Sequence, residues 1–262
     1  MMKHQRVNIL SVPIDNISMY DLLERLKYGG VVFTPNVDHL VKLQKDRHFY
    51  QAYLDADYRV CDSQLIFYAS RFLNQPICEK VSGSDLFPAF YSYYSKDENV
   101  KIFLLGGLEG VAEQASRRIN QKVGRDMVVG CYSPSLGFEN DPVECDKIVE
   151  LINSSGANVL AVGVGAPKQE KWIIKYKSSL SSISTFLAIG ASIDFEAGNI
   201  KRAPRWMSFA GLEWLYRLIR EPGRLWRRYL VEDVVFFALI WQQKFNPEHK
   251  KFFRKKKAVE SR

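Results

Sequence analysis

The stretch VKIFLLGGLEGVAEQA, residues 100–115, decides the fold class of this chain. Its first half is too uniformly hydrophobic to have a side exposed to water. Gly106 and Gly107 then lead into an amphipathic pattern over Val111–Val123. A buried strand that runs through a glycine turn into a helix is the repeating unit of parallel sheets covered by helices. NVLAVGVGAPKQEKW, residues 158–172, repeats this pattern.

Further hydrophobic runs of strand length alternate with amphipathic stretches along the chain. The other strand candidates are RVNILSV near residue 9, VVFTPN from Val31, YRVCDS from Tyr58, MVVGCYS from Met127 and TFLAIGAS from Thr185. The other helix candidates are residues 20–27, 141–153 and 168–180. This alternation predicts an α/β fold with a mainly parallel sheet flanked by helices. The loops that follow such strands share one edge, where open sheets bind ligands.

The last quarter of the chain differs in composition from the rest. Residues 199–262 contain 16 Lys and Arg against 6 Asp and Glu, a net charge of +10 in a chain whose total is +8, and four of the five tryptophans. We therefore expect a core over residues 1–198 and a basic, aromatic helical appendage over residues 199–262. One appendage helix is predicted over residues 207–220, and a second from residue 223 to about 244. Cations interleaved with aromatic residues are typical of a surface that meets phosphate groups.

The sequence also indicates the cellular compartment of the protein. The start of the chain lacks the continuous apolar stretch of a secretory signal, and the four cysteines show no CxxC pairing, so we expect a cytoplasmic protein. The longest apolar run, VVFFALIW from Val234, is far shorter than the ~20 residues needed to cross a bilayer. The sequence therefore predicts a protein that can lie on a membrane but does not span one.

Polar residues follow several predicted strands at the ligand-binding edge. FTPNVDH, residues 33–39, presents Thr34 and Asn36, and at least one polar residue of this stretch is expected to cap the next helix. Asp62 follows the apolar strand in VCDSQ and is either a helix cap or a buried general base; these residues alone favour the cap.

The glycine-rich turns are candidates for holding an anion. Gly106, Gly107 and Gly165 allow backbone N–H groups beside a helix N-terminus to approach a phosphate, although the same glycines also suit a tight turn without a ligand. In the PKQE string, Gln169 can both donate to and accept from a sugar or a uracil. For Glu170, the alternative of a first-turn acid that interacts with the helix dipole carries equal weight.

Several common chemistries lack their motifs. The glycine turns do not match the dinucleotide fingerprint, which disfavours a nicotinamide enzyme. No zinc spacing, nucleophile elbow or phosphate-binding loop with a GK[ST] ending is present, so we expect neither a metal nor another cofactor. Asp55 and Asp57 have the DxD spacing of some metal-dependent transferases, but they precede a strand rather than end one and are expected at a helix end or in a loop.

Taken together and in order, these motifs resemble those of the WecG/TagA/CpsF glycosyltransferase family, also called glycosyltransferase family 26. The resemblance extends from about residue 8 to residue 229. It is carried by TPN at residues 34–36, Asp62, VSGSDL at 81–86, LLGG at 104–107, VGVGAPKQE at 162–170, IDFEAGNIKRAPRW at 193–206 and GLEWLYRLIREPGRLWRRY at 211–229.

This resemblance implies a Rossmann-like core with a C-terminal helical appendage. It implies an inverting, metal-independent enzyme of cell-surface polysaccharide assembly, peripheral on the inner face of the cell membrane. Such an enzyme transfers an N-acetylmannosamine-type hexose from a UDP-sugar donor to a polyprenyl-diphosphate-linked saccharide acceptor. The anionic membrane surface is its third expected partner.

The resemblance also assigns roles to individual residues. Asp62 corresponds to the catalytic base, Thr34 and Asn36 to substrate contacts, and Gln169 to a glutamine of the cleft. Five arginines correspond to diphosphate ligands: Arg205, Arg217, Arg220, Arg224 and Arg228. Ser63 departs from the pattern, because the family usually has glycine after the aspartate, and this leaves the donor sugar open.

Two other functions are alternatives. One is a transferase of exopolysaccharide synthesis that uses UDP-glucose or UDP-glucuronate. The other, from a different class, is a nucleic-acid-binding α/β protein with a basic tail, which leaves the ordered cleft motifs unexplained. We therefore expect no nucleic-acid partner. The acceptor glycan, the linkage and whether the chain forms a homo-oligomer are left open by the sequence.

Overall fold

The computed structural model describes residues 5–200, 202–204, 207, 212–227 and 234–246. The strands are β1 (Arg6–Ile9), β2 (Val12–Asp15), β3 (Gly30–Phe33), β4 (Tyr58–Arg59), β5 (Ile102–Gly106), β6 (Val128–Tyr132), β7 (Val159–Gly163) and β8 (Thr185–Ala188). The helices are α1 (Met19–Leu26), α2 (Val37–Leu43), α3 (Arg47–Leu54), α4 (Gln64–Phe72), α5 (Gly83–Tyr93), α6 (Val111–Val123), α7 (Pro142–Ser154), α8 (Lys168–Tyr176), α9 (Ser192–Ala197), α10 (Glu213–Arg220), α11 (Pro222–Arg227) and α12 (Val234–Phe245).

Six strands form one parallel sheet in the order β4-β3-β8-β7-β5-β6. β5 pairs with β7 from Ile102 opposite Val159 to Gly106 opposite Gly163, and every residue of β5 is buried. This burial is expected for a strand covered by helices on both faces. The predicted α/β fold with a mainly parallel, helix-flanked sheet is confirmed.

The connections of the sheet diverge from its centre. The chain passes from β3 to the neighbouring edge strand β4, and from β5 to the opposite edge strand β6, before β7 and β8 fill the space between. A reversal of this kind opens a crevice at the carboxyl ends of the strands, and such crevices bind ligands in open α/β sheets.

The predicted strand near residue 9 lies outside this sheet. β1 and β2 form a separate antiparallel ribbon in which Arg6 pairs with Asp15. The turn between them places Leu10 and Ser11 at φ angles of 49° and 64°, the mirror-image turn that suits a tight hairpin. Neither residue is a glycine or asparagine, so the sequence carries no sign of this turn.

The core has two layers, one on each face of the sheet. Buried residues of α1, α5, α6 and α9 pack on one face, and those of α2, α3, α4, α7, α8 and α12 pack on the other. Successive residues of β5 alternate between the layers: Phe103 and Leu105 belong to one, Ile102 and Leu104 to the other. Because side chains of a strand point alternately to the two faces, the uniformly apolar runs are explained.

Short polar side chains fix the starts of several helices. The side chains of Ser18, Asn36, Asp46, Ser82 and Asp141 each accept a hydrogen bond from a backbone N–H in the first turn of the following helix. Such caps satisfy donors that have no partner within the helix and are worth ~1 kcal/mol each. They determine where each helix begins relative to the strand before it.

Described residues of the appendage contact the core near its start and at α12. Near its start, Arg202 binds the beginning of α5, with its Nη1 atom 3.0 Å from Asp85 Oδ1. At its last described helix, α12 buries Phe236 and Ile240 against the core. Within the helix predicted over residues 207–220, Met207 is helical, Leu212 is not, and α10 begins at Glu213; residues 208–211 lie outside the described part of the chain. Between α11 and α12, residues 228–233 lie outside the described part of the chain.

Candidate functional site

The loop after β3 contributes two of the predicted residues. Thr34 is buried, and its hydroxyl donates a long hydrogen bond to the carbonyl of Ala188 at the end of β8 (3.4 Å). Asn36 is the N-cap of α2, where its Oδ1 atom accepts the backbone N–H of His39 (3.1 Å). The expected capping residue of this stretch is therefore Asn36.

Asp62 lies beside this loop at the same edge of the sheet. Its backbone N–H donates to the carbonyl of Pro35 (3.0 Å), which fastens the loop after β4 to the loop after β3. The N-cap position of α4 falls on Ser63, one residue later than the cap interpretation of Asp62 suggests. The Asp62 side chain is half-buried at the carboxyl end of the sheet, where a general base would have to be.

Gln169 and Glu170, in the first turn of α8, are both buried although both are polar. The Nε2 atom of Gln169 donates to Oε1 of Glu170 (2.9 Å). The other oxygens, Gln169 Oε1 and Glu170 Oε2, have no hydrogen-bond partner among the described residues. Burial raises the pKa of Glu170 to about 7, because it disfavours the charged form.

His39 and Tyr53 connect Glu170 to the loops after β3 and β4. The Tyr53 hydroxyl and His39 Nδ1 are 2.7 Å apart, and His39 Nδ1 is 4.0 Å from Glu170 Oε1. Burial holds the pKa of Tyr53 well above its usual value, and nearby carboxylates raise it further. Those carboxylates belong to Glu170, Asp62 and Asp38. A cluster of titratable side chains thus extends from Asp62 to the start of α8.

The buried ion pair of Arg59 and Asp15 holds the end of α3 beside this cluster. Arg59 Nη1 donates to the carbonyls of Tyr53 and Ala56, at 3.0 and 2.8 Å. Asp15 Oδ2 accepts from the backbone N–H of Arg59 at 2.7 Å and from its Nη2 at 3.3 Å. Strand β4 therefore fixes the position of α3, and with it the position of the Tyr53 hydroxyl.

The glycines of the turns have different surroundings. Gly106 has a φ of 137°, and a Cβ atom there would lie 2.5 Å from the carbonyl oxygen of Gly163, so the contact between β5 and β7 requires glycine. Gly107 has a φ of 78° and packs against Val111. Gly165 has a φ of 84° with open space around the position of a Cβ atom. Of the three, Gly165 is the one whose surroundings leave room for a ligand.

A pocket of about 420 Å³ lies at Gly165. Its volume is in the range of small-molecule sites. It is lined by Glu139, Asn140, Val164, Gly165, Ala166, Pro167, Lys168, Lys171, Trp172 and Lys175. The lysine side chains give this pocket a cationic wall beside the first turn of α8.

The start of α5 adds the VSGSDL string to the same edge. A Cβ atom on Gly83 would lie 3.2 Å from Thr34 Oγ1 and 3.3 Å from the carbonyl oxygen of Ile189, so α5 begins directly against the loop after β3. Arg202, from the appendage, binds Asp85 and the carbonyl of Ser84 there. The appendage therefore reaches the ligand-binding edge.

The predicted diphosphate ligands are described only in part. Arg220 is exposed, and its guanidinium lies 5.5 Å from the ring centroid of Tyr216. Arg205 and Arg228 lie outside the described residues, as do the side chains of Arg217 and Arg224. Their assignment to a diphosphate stays a prediction.

Neither acid of the DxD string belongs to the cluster. Asp55 is the residue after α3, and Asp57 accepts the backbone N–H of Val31 (2.8 Å) from its loop. Both lie where the sequence places them, at a helix end and in a loop. Within the described ranges, no group of three or more His, Cys, Asp or Glu side chains is arranged to hold a metal ion.

The sequence did not predict that His39 and Tyr53 belong to the cluster of titratable side chains beside Glu170. His39 was noticeable as a histidine close to a cleft motif, but Tyr53 lies in an amphipathic helix among other aromatic residues and carries no local signal. Their proximity depends on how α2, α3 and α8 pack together. The burial of Glu170 likewise comes from that packing.

Comparison with known proteins places these motifs in a family. The sequence profile of the glycosyl transferase WecG/TagA/CpsF family matches residues 7–250. The N-acetylglucosaminyldiphosphoundecaprenol N-acetyl-beta-D-mannosaminyltransferase of Bacillus subtilis strain 168 is 30% identical over 227 residues, covering 85% of each chain. The enzymes of that name from Staphylococcus aureus strains MW2 and NCTC 8325 are 28% identical over 234 residues, covering 85% of this chain and 87% of theirs.

Proposed function

Since the chain belongs to the WecG/TagA/CpsF glycosyltransferase family, we propose that it transfers an N-acetylmannosamine-type hexose from a UDP-sugar to a polyprenyl-diphosphate-linked saccharide. The names of its relatives support the acceptor class and the sugar. They also specify a β linkage, which requires inversion if the UDP-sugar is α-linked. The product belongs to the assembly of a cell-surface polysaccharide.

The proposed reaction is a single displacement at the anomeric carbon. The acceptor hydroxyl oxygen forms a bond to that carbon while the bond to the UDP oxygen breaks, and UDP leaves with the bonding electrons. Asp62 accepts the proton of the acceptor hydroxyl as general base. Charge develops on the diphosphate as it leaves, so cationic groups and helix N-termini on the opposite side lower the barrier.

The observation that carries this proposal is the position of Asp62. It is half-buried at the carboxyl end of the sheet and joined through the Pro35 carbonyl to the loop that holds Thr34 and Asn36. The turn at Gly165 follows β7, a strand of the same sheet, and has open space beside it. The proposed base, sugar contacts and phosphate-binding turn therefore all follow strands of one parallel sheet.

The direct test is a panel of UDP-sugars with a short-chain prenyl-diphosphate sugar acceptor, in which released UDP and glycosylated product are both measured. We expect turnover with UDP-N-acetylmannosamine and little with UDP-glucose or UDP-glucuronate. Preference for one of the latter would replace the sugar in this proposal. Failure of every UDP-sugar to react would contradict the donor class.

Replacement of Asp62 by Asn tests the base. Asp62→Asn keeps the shape of the side chain but cannot accept a proton, so we expect turnover to fall by about 10²-fold to 10⁴-fold while UDP affinity stays within a few-fold. Near-normal turnover in this variant would remove Asp62 from the role. Asp55→Asn, outside the cluster, is the matched control.

The appendage arginines are proposed to meet the leaving diphosphate. Arg205, Arg217, Arg220, Arg224 and Arg228 provide planar donors that suit phosphate oxygens. Combined replacement of Arg224 and Arg228 by Ala should raise the donor KM. Loss of membrane binding without any change in donor KM would assign the two arginines to the lipid surface instead.

We also propose that the enzyme works on an anionic membrane surface, through the outer face of α12. The inner face of α12 is anchored to the core: Gln243 accepts the backbone N–H of Leu10 (2.8 Å), and Lys244 donates to the carbonyl of Phe72 (2.6 Å). On the outer face, the side chains of Phe237, Trp241 and Phe245 are 55%, 63% and 60% exposed. Exposed aromatic residues on one face of a helix are typical of helices that lie in the headgroup region.

No helix among the described residues is long and apolar enough to cross a membrane. Liposome flotation tests surface binding. The unsubstituted chain should float with vesicles that contain phosphatidylglycerol, and Phe237→Ser with Trp241→Ser should reduce the bound fraction at least fivefold. Leu136→Ser with Val143→Ser, at exposed positions elsewhere, is the matched control. Equal flotation of all three proteins would contradict the role of α12.

A further inference from the structure

The side-chain amide of Gln169 is held in one orientation by its neighbour. Its nitrogen, Nε2, donates to Glu170 Oε1 at 2.9 Å, and both side chains are buried. The amide oxygen of Gln169 has no hydrogen-bond partner in the described part of the chain. A buried acceptor without a partner is unfavourable, so the unpaired amide oxygen of Gln169, one residue from Lys168 in the wall of the pocket at Gly165, indicates that a ligand satisfies it.

Glu170 is enclosed by neighbouring side chains. Its Oε1 atom lies 4.0 Å from His39 Nδ1, and the His39 ring is fixed by the Tyr53 hydroxyl and by an edge-on contact with Phe49. The side chain of Glu170 is completely buried. A carboxyl group fixed in this way can orient the amide that is bound to it.

We propose that Glu170 is a positioning residue that anchors the amide nitrogen of Gln169, so that Gln169 presents only its oxygen, as a hydrogen-bond acceptor, to a donor group of the bound UDP-sugar. The inference rests on the proposed function. The group that it recognises is a sugar hydroxyl, an acetamido N–H or the uracil N–H. Since Glu170 acts through Gln169, its effect should disappear when Gln169 is absent.

A double-mutant cycle on the full chain tests this dependence. Gln169→Met and Glu170→Met preserve side-chain length but remove hydrogen bonding, and each should raise the KM for the UDP-sugar about tenfold, the loss of one hydrogen bond. The double variant should show the same tenfold increase, because both changes remove one interaction. A hundredfold increase in the double variant would mean independent effects and would overturn the inference.

The conservative variant provides a readout that a merely structural role would not give. In Glu170→Gln the side-chain oxygen can still accept from Gln169 Nε2, so the KM should rise only about threefold, between the values of the unsubstituted chain and Glu170→Met. Glu98→Gln, at an exposed position, is the matched control. A KM for Glu170→Gln as high as that for Glu170→Met would contradict the anchoring role.

Gln169→Glu decides the question if Glu170→Met does not fold. This substitution offers only oxygen atoms to the ligand, and one proton shared with Glu170 can replace the lost N–H···O bond. We expect its KM to rise less than that of Gln169→Met, because the ligand donor still meets an acceptor oxygen. A KM as high as that of Gln169→Met would show that the ligand needs the N–H group, and the inference would be wrong.

The same assays separate this inference from the function on which it rests. The inhibition constant of UDP locates the donor group: it stays unchanged if Gln169 binds the sugar, and rises with the KM if Gln169 binds the uracil. A change confined to the KM of the acceptor would overturn the inference alone. Absence of turnover in the unsubstituted chain would overturn the proposed function and the inference with it.

Discussion

Replacement of Glu170 by Gln should make the stability of this protein less dependent on pH. Burial raises the pKa of Glu170 from its ordinary value of 4.5 to about 7 in the folded chain. The unfolded chain ionises near the ordinary value, so between pH 4.5 and 7 it releases a proton that the folded chain keeps. The contribution of Glu170 to folding is therefore most favourable at acidic pH and becomes less favourable as pH rises to about 7.

The size of the pH-dependent contribution of Glu170 follows from the difference between its pKa values in the folded and unfolded chain. One pKa unit corresponds to ~1.4 kcal/mol, so the full difference amounts to about 3 kcal/mol. Between pH 5 and pH 8 most of it is lost, about 2–3 kcal/mol, because the unfolded chain is already partly ionised at pH 5. Glutamine cannot ionise, so Glu170→Gln should lack this component.

Urea unfolding at pH 5 and pH 8 measures the pH-dependent contribution of Glu170 to the free energy of unfolding. The free energy of unfolding of the unsubstituted chain, relative to Glu170→Gln, should fall by about 2–3 kcal/mol between the two pH values. Other titrating groups contribute equally to both proteins and cancel. Glu98→Gln, at an exposed position, should show almost no change. A Glu170→Gln difference that is equally flat would refute the reasoning.

Two further substitutions test the packing that positions the site. Gly106→Ala should destabilise the protein by at least about 3 kcal/mol in urea unfolding, because its Cβ atom would lie 2.5 Å from the Gly163 carbonyl oxygen at a φ of 137°. Gly124→Ala, in open space at a φ of 78°, should cost only about 1 kcal/mol. Equal costs for the two variants would contradict this account. Asp15→Ala should cost about 3–5 kcal/mol, because it leaves the buried Arg59 guanidinium without its carboxylate; a cost below about 1 kcal/mol by thermal or urea unfolding would show that the pair contributes little.

The elements with regular patterns could be predicted from the sequence, and those fixed by distant contacts could not. Helix α6 has the predicted bounds, Val111–Val123, because glycine precedes and follows an amphipathic repeat. The strand predicted near residue 9 became a hairpin through a turn at Leu10 and Ser11, which have no turn-forming side chains. Tertiary packing of the ribbon overrides local preference there.

The residues of the candidate site likewise include some that local sequence patterns predict and others that distant contacts bring into place. The strand ends locate Thr34, Asn36 and Asp62 at one edge, because parallel strands bring their following loops together. The contact between His39 and Tyr53 depends on how two helices cross, which no local spacing encodes. The sequence therefore predicts the residues that face the crevice better than those behind it.

Because it is buried, Glu170 weakens the fold at neutral pH, and its presence in the first turn of α8 needs another reason. Glutamine would avoid the free energy of ionisation, so stability alone does not favour a carboxyl group here. Once it is ionised, above about pH 7, the carboxylate presents an acceptor whichever way it rotates, whereas a glutamine amide presents an acceptor in only one of two orientations. Glutamate is thus the side chain that fixes the Gln169 amide without ambiguity. The stability given up at position 170 comes from burial of the carboxyl group, whereas the hydrogen bond to Gln169 partly offsets that loss and fixes the amide at position 169.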